Sequence, residues 1–252
     1  AQSDAATAPI QDNSFLVEEA YNQERGVVQH ISNFVRDRGG DWAYTLTQEW
    51  PLWGQKHQLS YALPLLHAGG QTGIGDVFVN YRYQLVGDGD AAVAVAPRAS
   101  VILPSGNEER GFGSGGVGFQ GAVPVSVVVI EDRLVAHSNA GATWTPKAKD
   151  VFGNEAATTS VYLSGSAVWL VRPMFNLFVE GVWTRDESVV GPGSTDAGNS
   201  ATISPGVRFG WNLPGGLQVV PGVAVPIGVG PSRGERSIFL YLSFEHPFTR
   251  RR

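Results

Sequence analysis

After residue 26, apolar and polar residues alternate with a period of two, and clusters of Gly, Pro, Asn and Asp interrupt the alternation at intervals. In 75–86, for example, Val77 and Val79 share one parity, whereas Asn80 and Arg82 take the other. Helical periodicity is not sustained in this part of the chain. The pattern therefore predicts an all-β protein whose strands each have one apolar and one polar face. The alternation returns in 174–186, 200–213 and 236–248.

Division at the interrupting clusters gives twelve predicted strands, an even number, as single-chain bacterial membrane barrels require. They are 27–38, 41–53, 56–68, 75–86, 90–104, 116–130, 134–147, 158–172, 175–188, 199–213, 217–230 and 236–248. Short turns at one end of such a barrel and longer loops at the other are the expected asymmetry. Four connections meet the second condition: 67–75, 104–116, 147–158 and 187–199. We expect a transmembrane antiparallel β-barrel over 27–248.

The seven tryptophans all fall near predicted strand ends. An amphipathic ring is favoured at the membrane–water interface, so this placement predicts two girdles of membrane-interface aromatics. A soluble β-sandwich for binding or adhesion is the alternative, because alternating strands with aromatic residues also suit such domains. The outer girdle would hold Trp42, Trp144 and Trp183, and the inner girdle Trp50, Trp53, Trp169 and Trp211.

Composition narrows the function classes. The chain has 252 residues, a net charge of −5 and no cysteine, which excludes disulfides, thiolate metal sites and cysteine catalysis. No basic run precedes the last three residues, which argues against a nucleic-acid partner. No apolar stretch approaches the roughly 20 residues of a membrane-spanning helix. Only 16% of residues are charged, as a barrel with an apolar outer belt requires.

The two ends of the chain differ from the predicted barrel. It starts at Ala1 with no Met and no hydrophobic leader, so we expect an exported protein of the bacterial outer membrane whose signal peptide has been removed. Residues 1–26 are polar and form a predicted periplasmic or luminal arm, which either lines or plugs the lumen or is disordered in the periplasm. Residues 249–252 form a basic tail. The plug candidates are Phe15, Leu16, Glu18, Glu19 and Tyr21.

Polar side chains of the inward parity are the predicted channel lumen. They carry both signs of charge, which favours interior ion pairs over an ion-selective ring, and they satisfy one another more readily than they form a substrate site. A barrel of about twelve strands is wider than one filled by its own side chains, so something else must fill or gate the lumen. The set is Glu49, Asn80, Arg82, Arg98, Gln120, His137, Asn139, Glu180, Arg208 and Glu245.

Six prolines fall inside predicted strands, where each removes a donor from the ladder. We expect bulges, kinks or interrupted pairing at these positions. They cluster on the fifth and sixth strands and on the tenth and eleventh, so one cluster marks either a lateral exit for apolar cargo or a bend that closes a small barrel. The six are Pro64, Pro97, Pro124, Pro205, Pro221 and Pro226.

The sequence gives little support for an enzyme. His137 and Ser138 are adjacent, so on one strand they point to opposite faces and cannot act as the dyad of a barrel-type outer-membrane hydrolase. None of the common hydrolase or phosphate-binding motifs is present, and the five histidines have no ligand spacing. We expect no catalysis, no cofactor and no metal, with a barrel hydrolase as the weakest alternative.

Two glycine-rich stretches point to a family. The segment TGIGDVFVNYRYQL at 72–85 and the segment VILPSGNEERGFGSGGVGF at 101–119 resemble the meta-pathway phenol-degradation family of outer-membrane proteins. The final strand, IFLYLSFEHPF at 238–248, resembles the C-terminal recognition strand of such barrels. The resemblance implies a twelve-stranded channel for passive uptake of small, rather hydrophobic or aromatic molecules, with the N-terminal arm in the lumen. The expected partners are outer-membrane lipid or detergent, the small-molecule cargo and the barrel-assembly machinery, and we expect a monomer.

Overall fold

A computed structural model describes residues 10–88 and 91–247, and within them twelve antiparallel strands form a closed barrel. Two short 3-10 turns, Glu108–Arg110 and Gly230–Ser232, are the helical elements of these residues. The strands are β1 (Val27–Asp37), β2 (Trp42–Leu52), β3 (His57–Ala68), β4 (Gln71–Ile74 and Val77–Tyr83), β5 (Val93–Val95 and Arg98–Leu103), β6 (Gly118–Ile130), β7 (Leu134–Lys149), β8 (Glu155–Arg172), β9 (Phe175–Gly191), β10 (Ser194–Phe209 and Trp211–Leu213), β11 (Leu217–Ala224 and Ile227–Gly228) and β12 (Ser237–Pro247).

Each strand pairs with its neighbours in sequence, and β12 returns to β1 to complete the ring. The closing register runs from Val27 opposite Pro247 to Asp37 opposite Ser237. Here we call the end of the barrel where β1 begins and β12 ends the inner rim, and the opposite end the outer rim. Because the sheet closes on itself, the alternative of a soluble sandwich is wrong. Phe248 and the predicted tail 249–252 lie outside the described residues.

The two faces of the barrel differ as the alternation predicts. Leu163, Leu240 and Ile203 are about half exposed on the outer face, whereas Asn176 and Arg208 on the inner face are 1% exposed. The barrel therefore has an apolar outer surface around a polar interior, as a membrane barrel with a polar lumen does. Within the two described ranges, no helix is both long enough and apolar enough to cross a membrane.

The strands from β7 to β10 extend two to five residues farther at the outer rim than predicted. They have 16 to 18 residues, against the roughly 9–11 that a membrane crossing needs. Because Gln71–Ile74 also pairs with β3, three predicted outer loops are wrong. The connections that replace them are the turns 69–70, 150–154 and 192–193. The polar Thr-, Ser- and Asp-containing ends of these strands resemble loops in sequence, but they pair in regular ladders beyond the apolar belt. Of the four predicted long loops, the one after β5 remains a loop, at 104–117.

The lengthened strands also correct the tryptophan prediction. Trp183 lies in the middle of β9, eight residues from either end, and Trp144 lies five residues before the end of β7. Both rings point outward and are 37% and 50% exposed. These two tryptophans therefore lie within their strands and not at the strand ends as predicted. That they form part of an outer girdle stays a prediction. Trp53, Trp169 and Trp211 are also exposed, and Trp42 and Trp50 are half-buried.

The predicted interruption occurs at two of the six strand prolines, and none of the six lies at a register shift. Pro97 and Pro226 lie at breaks in β5 and β11, and the other four lie within continuous strands. The register nevertheless continues through both clusters: the Ala96 amide donates to the Pro124 carbonyl at 3.2 Å, and the Val225 amide donates to the Pro205 carbonyl at 3.0 Å. This pairing supports bending of the wall and gives no support to a lateral exit.

We expect the position of the apolar belt to be measurable with one substitution made at two heights. Ala167 on β8 faces outward beside Val179, and Ala197 on β10 faces outward above Trp183. Ala167→Arg places a cation in the belt and should cost about 2–4 kcal/mol, whereas Ala197→Arg should cost less than about 1 kcal/mol. Urea unfolding in liposomes, followed by the gel shift between folded and unfolded barrel, measures both. Equal costs would contradict the assignment of the β7–β10 ends to water.

Candidate functional site

The arm, residues 10–26, runs inside the barrel. It starts at the inner rim, where the Ile10 amide donates to the Pro173 carbonyl at 2.8 Å, and it rejoins the rim at β1. Between these points it rises to the middle of the wall, bends at residues 15–17 and forms no helix or strand. The prediction that the arm is disordered is therefore wrong for these residues, and residues 1–9 lie outside the described ranges.

Glu180 of β9 holds the top of the arm. The amides of Phe15, Leu16 and Val17 donate to the same carboxylate oxygen, Oε1, at 2.8, 2.6 and 3.2 Å. Glu180 is 1% exposed, and its Oε2 has no hydrogen-bond partner among the described residues. Burial removes the hydrogen bonds that water would give to this carboxyl group, and the three amides replace part of them. The three amides and the carboxylate thus depend on one another.

Two arginines bind backbone carbonyls of the arm. Arg208 of β10 donates to the Gln11 and Asn13 carbonyls at 3.1 and 2.5 Å. Arg82 of β4 donates to the carbonyls of Glu19 and Tyr21 at 3.2 and 2.8 Å. It also donates to Asn22 Oδ1 at 2.9 Å and lies 3.8 Å from Glu49. Guanidinium groups carry five donors in a fixed fork, so each spans carbonyls that an extended chain presents on one side.

A side-chain ion pair joins the arm to β5. Arg98 approaches Glu18 at 2.8 Å and donates to Asn80 at 3.1 Å and to Gln120 at 2.9 Å. Asn139 of β7 adds a two-way contact, since its Oδ1 accepts from the Glu18 amide at 2.8 Å and its Nδ2 donates to the Glu18 carbonyl at 2.9 Å. Glu18 is thus held through its backbone and its side chain.

His137 of β7 also binds the arm, and its serine neighbour is the buried Ser126 of the wall. Its Nδ1 shares a 2.7 Å hydrogen bond with Ser126 Oγ, and its Nε2 lies 3.0 Å from the Asp12 carbonyl. Ser126 is 3% exposed and accepts the Ala20 amide at 2.7 Å, while Ser138 faces out of the barrel. This arrangement fastens two arm residues to the wall and leaves the Ser126 hydroxyl covered.

Phe15 adds an apolar anchor. Its ring stacks on Tyr241 with 4.5 Å between centroids, stacks on Phe239 at 5.2 Å and meets Phe178 edge to face at 4.6 Å. Offset and edge-to-face aromatic pairs contribute about 0.5–1.5 kcal/mol beyond their burial. Leu16, the next residue, is 37% exposed. Tyr21 lies edge-on to His137 at 6.3 Å.

A cavity of about 360 Å³ remains on the outer side of the arm, along the wall from β1 to β6. Its floor is arm residues 13–19. Its lining is apolar at Phe15, Ile31 and Phe78, and polar at Thr47 and Gln120. Both arginines of the lining lie close to a carboxylate, Arg98 to Glu18 and Arg82 to Glu49, and Glu19 also lines the cavity. The arm thus lies within the lumen, and an amphipathic cavity lies beside it.

Ten side chains were predicted to line the lumen, and the structure divides them by what they contact. Six bond directly to the arm: Arg82, Arg98, His137, Asn139, Glu180 and Arg208. Four bond within the wall. Glu49 accepts from Gln58 at 2.8 Å, Asn80 donates to Ser60 at 3.1 Å, Gln120 donates to Thr143 at 2.8 Å, and Glu245 accepts from Gln29 at 2.8 Å.

Sequence reasoning missed several uncharged arm contacts. Gln84 accepts the Asn22 amide at 3.0 Å and donates to the Ala20 carbonyl at 2.7 Å, and Gln58 accepts the Gln23 amide at 2.7 Å. Ser14 donates to Ser166 at 2.7 Å. The available signal was the inward parity of these amide and hydroxyl side chains, which the prediction of mainly charged lumen residues left out. The same signal applied to the aromatic group around Phe15, because Phe178 and Tyr241 share the inward parity of Glu180 and Glu245.

The family model described as "Putative MetA-pathway of phenol degradation" matches residues 12–244, from the arm to the last strand. The chain belongs to this family. Among proteins with curated descriptions, none matches the sequence.

This member of the family is similar in fold to solved outer-membrane barrels. The COG4313 outer membrane channel from Pseudomonas putida F1 is 12% identical with a TM-score of 0.65, and the match covers 90% of this chain and 97% of that one. The NanC porin is 12% identical with a TM-score of 0.58, covering 85% and 98%. The KdgM porin, solved in complex with disordered oligogalacturonate, is 11% identical with a TM-score of 0.50, covering 88% and 99%. At such identities the likeness establishes the fold.

We expect Glu180→Ala to loosen the arm. The substitution removes the acceptor of three amides, and a hydrogen bond to a charged group contributes about 1.5–3 kcal/mol. Hydrogen exchange of the Phe15, Leu16 and Val17 amides in nanodiscs should accelerate by at least about tenfold, which corresponds to about 1.4 kcal/mol.

The matched control is Glu187→Ala on the same strand. Glu187 accepts the Thr159 amide at 2.8 Å outside the lumen, so its loss removes a similar bond without touching the arm. Exchange at residues 15–17 should stay unchanged in this variant. Equal protection of these amides in Glu180→Ala and in the unmodified protein would contradict the role of Glu180.

Proposed function

We propose that the protein is an outer-membrane channel for passive uptake of small, rather hydrophobic or aromatic molecules, narrowed or gated by its N-terminal arm. The observation that carries the proposal is the position of arm residues 10–26 inside the barrel, with the cavity of about 360 Å³ on their outer side. A solute that enters from the outer rim reaches this cavity first and meets the arm as its floor. Passage to the inner rim then requires the arm to move.

The ion pairs in the cavity support an uncharged cargo. Both arginines of the lining lie close to a carboxylate, Glu18 or Glu49, so neither is free to attract an anion. An ionic solute would have to break one of these pairs, and separating a buried pair leaves an uncompensated charge.

The apolar side of the cavity supports an aromatic or hydrophobic body. Phe15, Phe78 and Tyr241 line it together with Ile31 and Pro64, and hydroxyl and amide side chains line it as well. Binding sites of this kind combine apolar walls with a few polar groups that orient the ligand. The family membership and the fold shared with porins and a channel support the same proposal.

The gating role can be tested with a reversible lock, because the chain contains no cysteine. Ser14 Oγ lies 2.7 Å from Ser166 Oγ, which places an arm residue within disulfide reach of β8. In the double variant Ser14→Cys, Ser166→Cys, we expect oxidation to reduce the swelling rate of proteoliposomes in small aromatic alcohols by at least about fivefold. Reduction should restore it. The single variants are the controls and should not respond to the oxidant.

The outcomes separate the parts of the proposal. Equal swelling in the oxidised and reduced double variant would contradict gating by the arm and leave the channel intact. Absence of swelling in the unmodified protein with every solute would contradict the channel. Uptake of sugars as fast as that of aromatic alcohols of similar size would contradict the preference for hydrophobic cargo.

A further inference from the structure

The outer rim has a notch that a folded loop fills. β5 ends at Leu103 and β6 begins at Gly118, whereas the neighbouring β7 continues to Lys149. Loop 104–117 occupies the space above the two short strands. It joins β7 through the Lys149 amide, which donates to the Ser114 carbonyl at 2.8 Å, and through an ion pair of 3.8 Å between Lys149 and Glu108.

Asp76 forms hydrogen bonds with residues near both ends of this loop. It lies at the break between the two segments of β4, off the regular ladder. Its Oδ1 accepts the Gly106 amide at 3.0 Å, and its Oδ2 accepts the Ser114 amide and the Ser114 hydroxyl, each at 2.7 Å. Bonds to a carboxylate are roughly twice as strong as neutral ones, so one side chain fixes both ends of the loop.

Ser105 adds a second connection to the same break. Its hydroxyl donates to the Gly75 carbonyl at 2.9 Å and accepts the Val77 amide at 3.0 Å. The backbone groups that the interruption of β4 leaves without a ladder partner are thereby satisfied by the loop.

Close contacts show that the loop is packed against the wall. The ring of Phe112 is 4% exposed and lies over Gly73, where a Cβ would come within 2.5 Å of it. A Cβ at Gly113 would come within 2.5 Å of the Asp76 carboxylate. Gly73 pairs with Leu66, which belongs to the inward parity of β3, so Phe112 packs on the luminal side of the wall.

The root of the loop adjoins the cavity. Phe78, two residues after Asp76, lines it, and so does Gln120, two residues after the start of β6. Pro64, another lining residue, lies 2.9 Å from the position of a Cβ on Gly75. A displacement of the loop would therefore reshape the outer approach to the cavity.

We propose that Asp76 is a positioning residue that holds loop 104–117 as a rigid size filter at the outer entrance of the lumen. The proposal rests on the proposed passive channel. It also explains why the two glycine-rich stretches at 72–85 and 101–119 occur together: one supplies Asp76 and the seat for Phe112, and the other supplies the loop that both hold.

The test is Asp76→Ala, with Asp150→Ala as the matched control. Asp150 accepts hydrogen bonds from the Phe152 and Asn154 amides at 2.9 Å in the neighbouring turn. Its substitution therefore removes carboxylate–amide bonds of the same kind outside loop 104–117. In Asp76→Ala we expect exchange of the Gly106 and Ser114 amides to accelerate by at least about tenfold. Liposome swelling should rise at least twofold for the largest solutes that permeate, with little change for the smallest. Asp150→Ala should change neither measurement.

Each other outcome contradicts a stated part of the inference. Unchanged exchange at Gly106 and Ser114 would remove Asp76 as the residue that holds the loop. Faster exchange with an unchanged size dependence would leave the loop held by Asp76 and overturn its role as a filter. If no solute permeates any variant, the passive channel itself fails, and the exchange measurement still decides the role of Asp76. Should Asp76→Ala not give the gel shift of a folded barrel, Ser114→Ala removes one of the three donors and is read in the same way.

Discussion

An extended chain inside a barrel has no partner strand, so its backbone groups must bond to side chains of the wall, and the whole lumen depends on this constraint. Three successive amides, from Phe15 to Val17, meet it at one oxygen of Glu180. Carbonyls before and after these three residues meet it at Arg208 and Arg82, respectively. The inward-facing polar residues therefore act mainly as partners for the arm, and the charged ones among them match its donors and acceptors.

The same constraint accounts for the mixture of charges in the lumen. A carboxylate suits amide donors and a guanidinium suits carbonyl acceptors, so a wall that holds an extended chain needs both. Arg98 and Glu18 form the shortest ion pair between the wall and the described part of the arm, at 2.8 Å. Because the arginines are bonded in this way, the aromatic residues of the cavity remain available for contact with a solute. A polar lumen is thus compatible with the proposed hydrophobic cargo, because Arg82, Arg98 and Arg208 are bonded to the arm.

The strands and their two faces follow from the sequence, because a period of two leaves each side chain only two directions. Arg208 and Glu180 belonged to the inward parity, and they are buried in the lumen. The outer ends of β7 to β10 could not be predicted, since polar residues such as Thr195 and Asp196 fall in a predicted loop although they pair in a ladder. The path of the arm could not be predicted either. Its hydrogen-bond partners lie up to 197 residues away, and no local pattern encodes such contacts.

A path for a solute could open in one of two places, the wall of the barrel or the arm inside it. The wall continues in register even at its prolines, so opening it would break backbone bonds in an apolar environment, where each lost bond costs several kcal/mol. The arm is held by bonds between side chains and backbone in a polar lumen, where water or a polar solute can replace them. Local stability is lowest where such replacement is available. This difference in cost favours movement of the arm over opening of the wall.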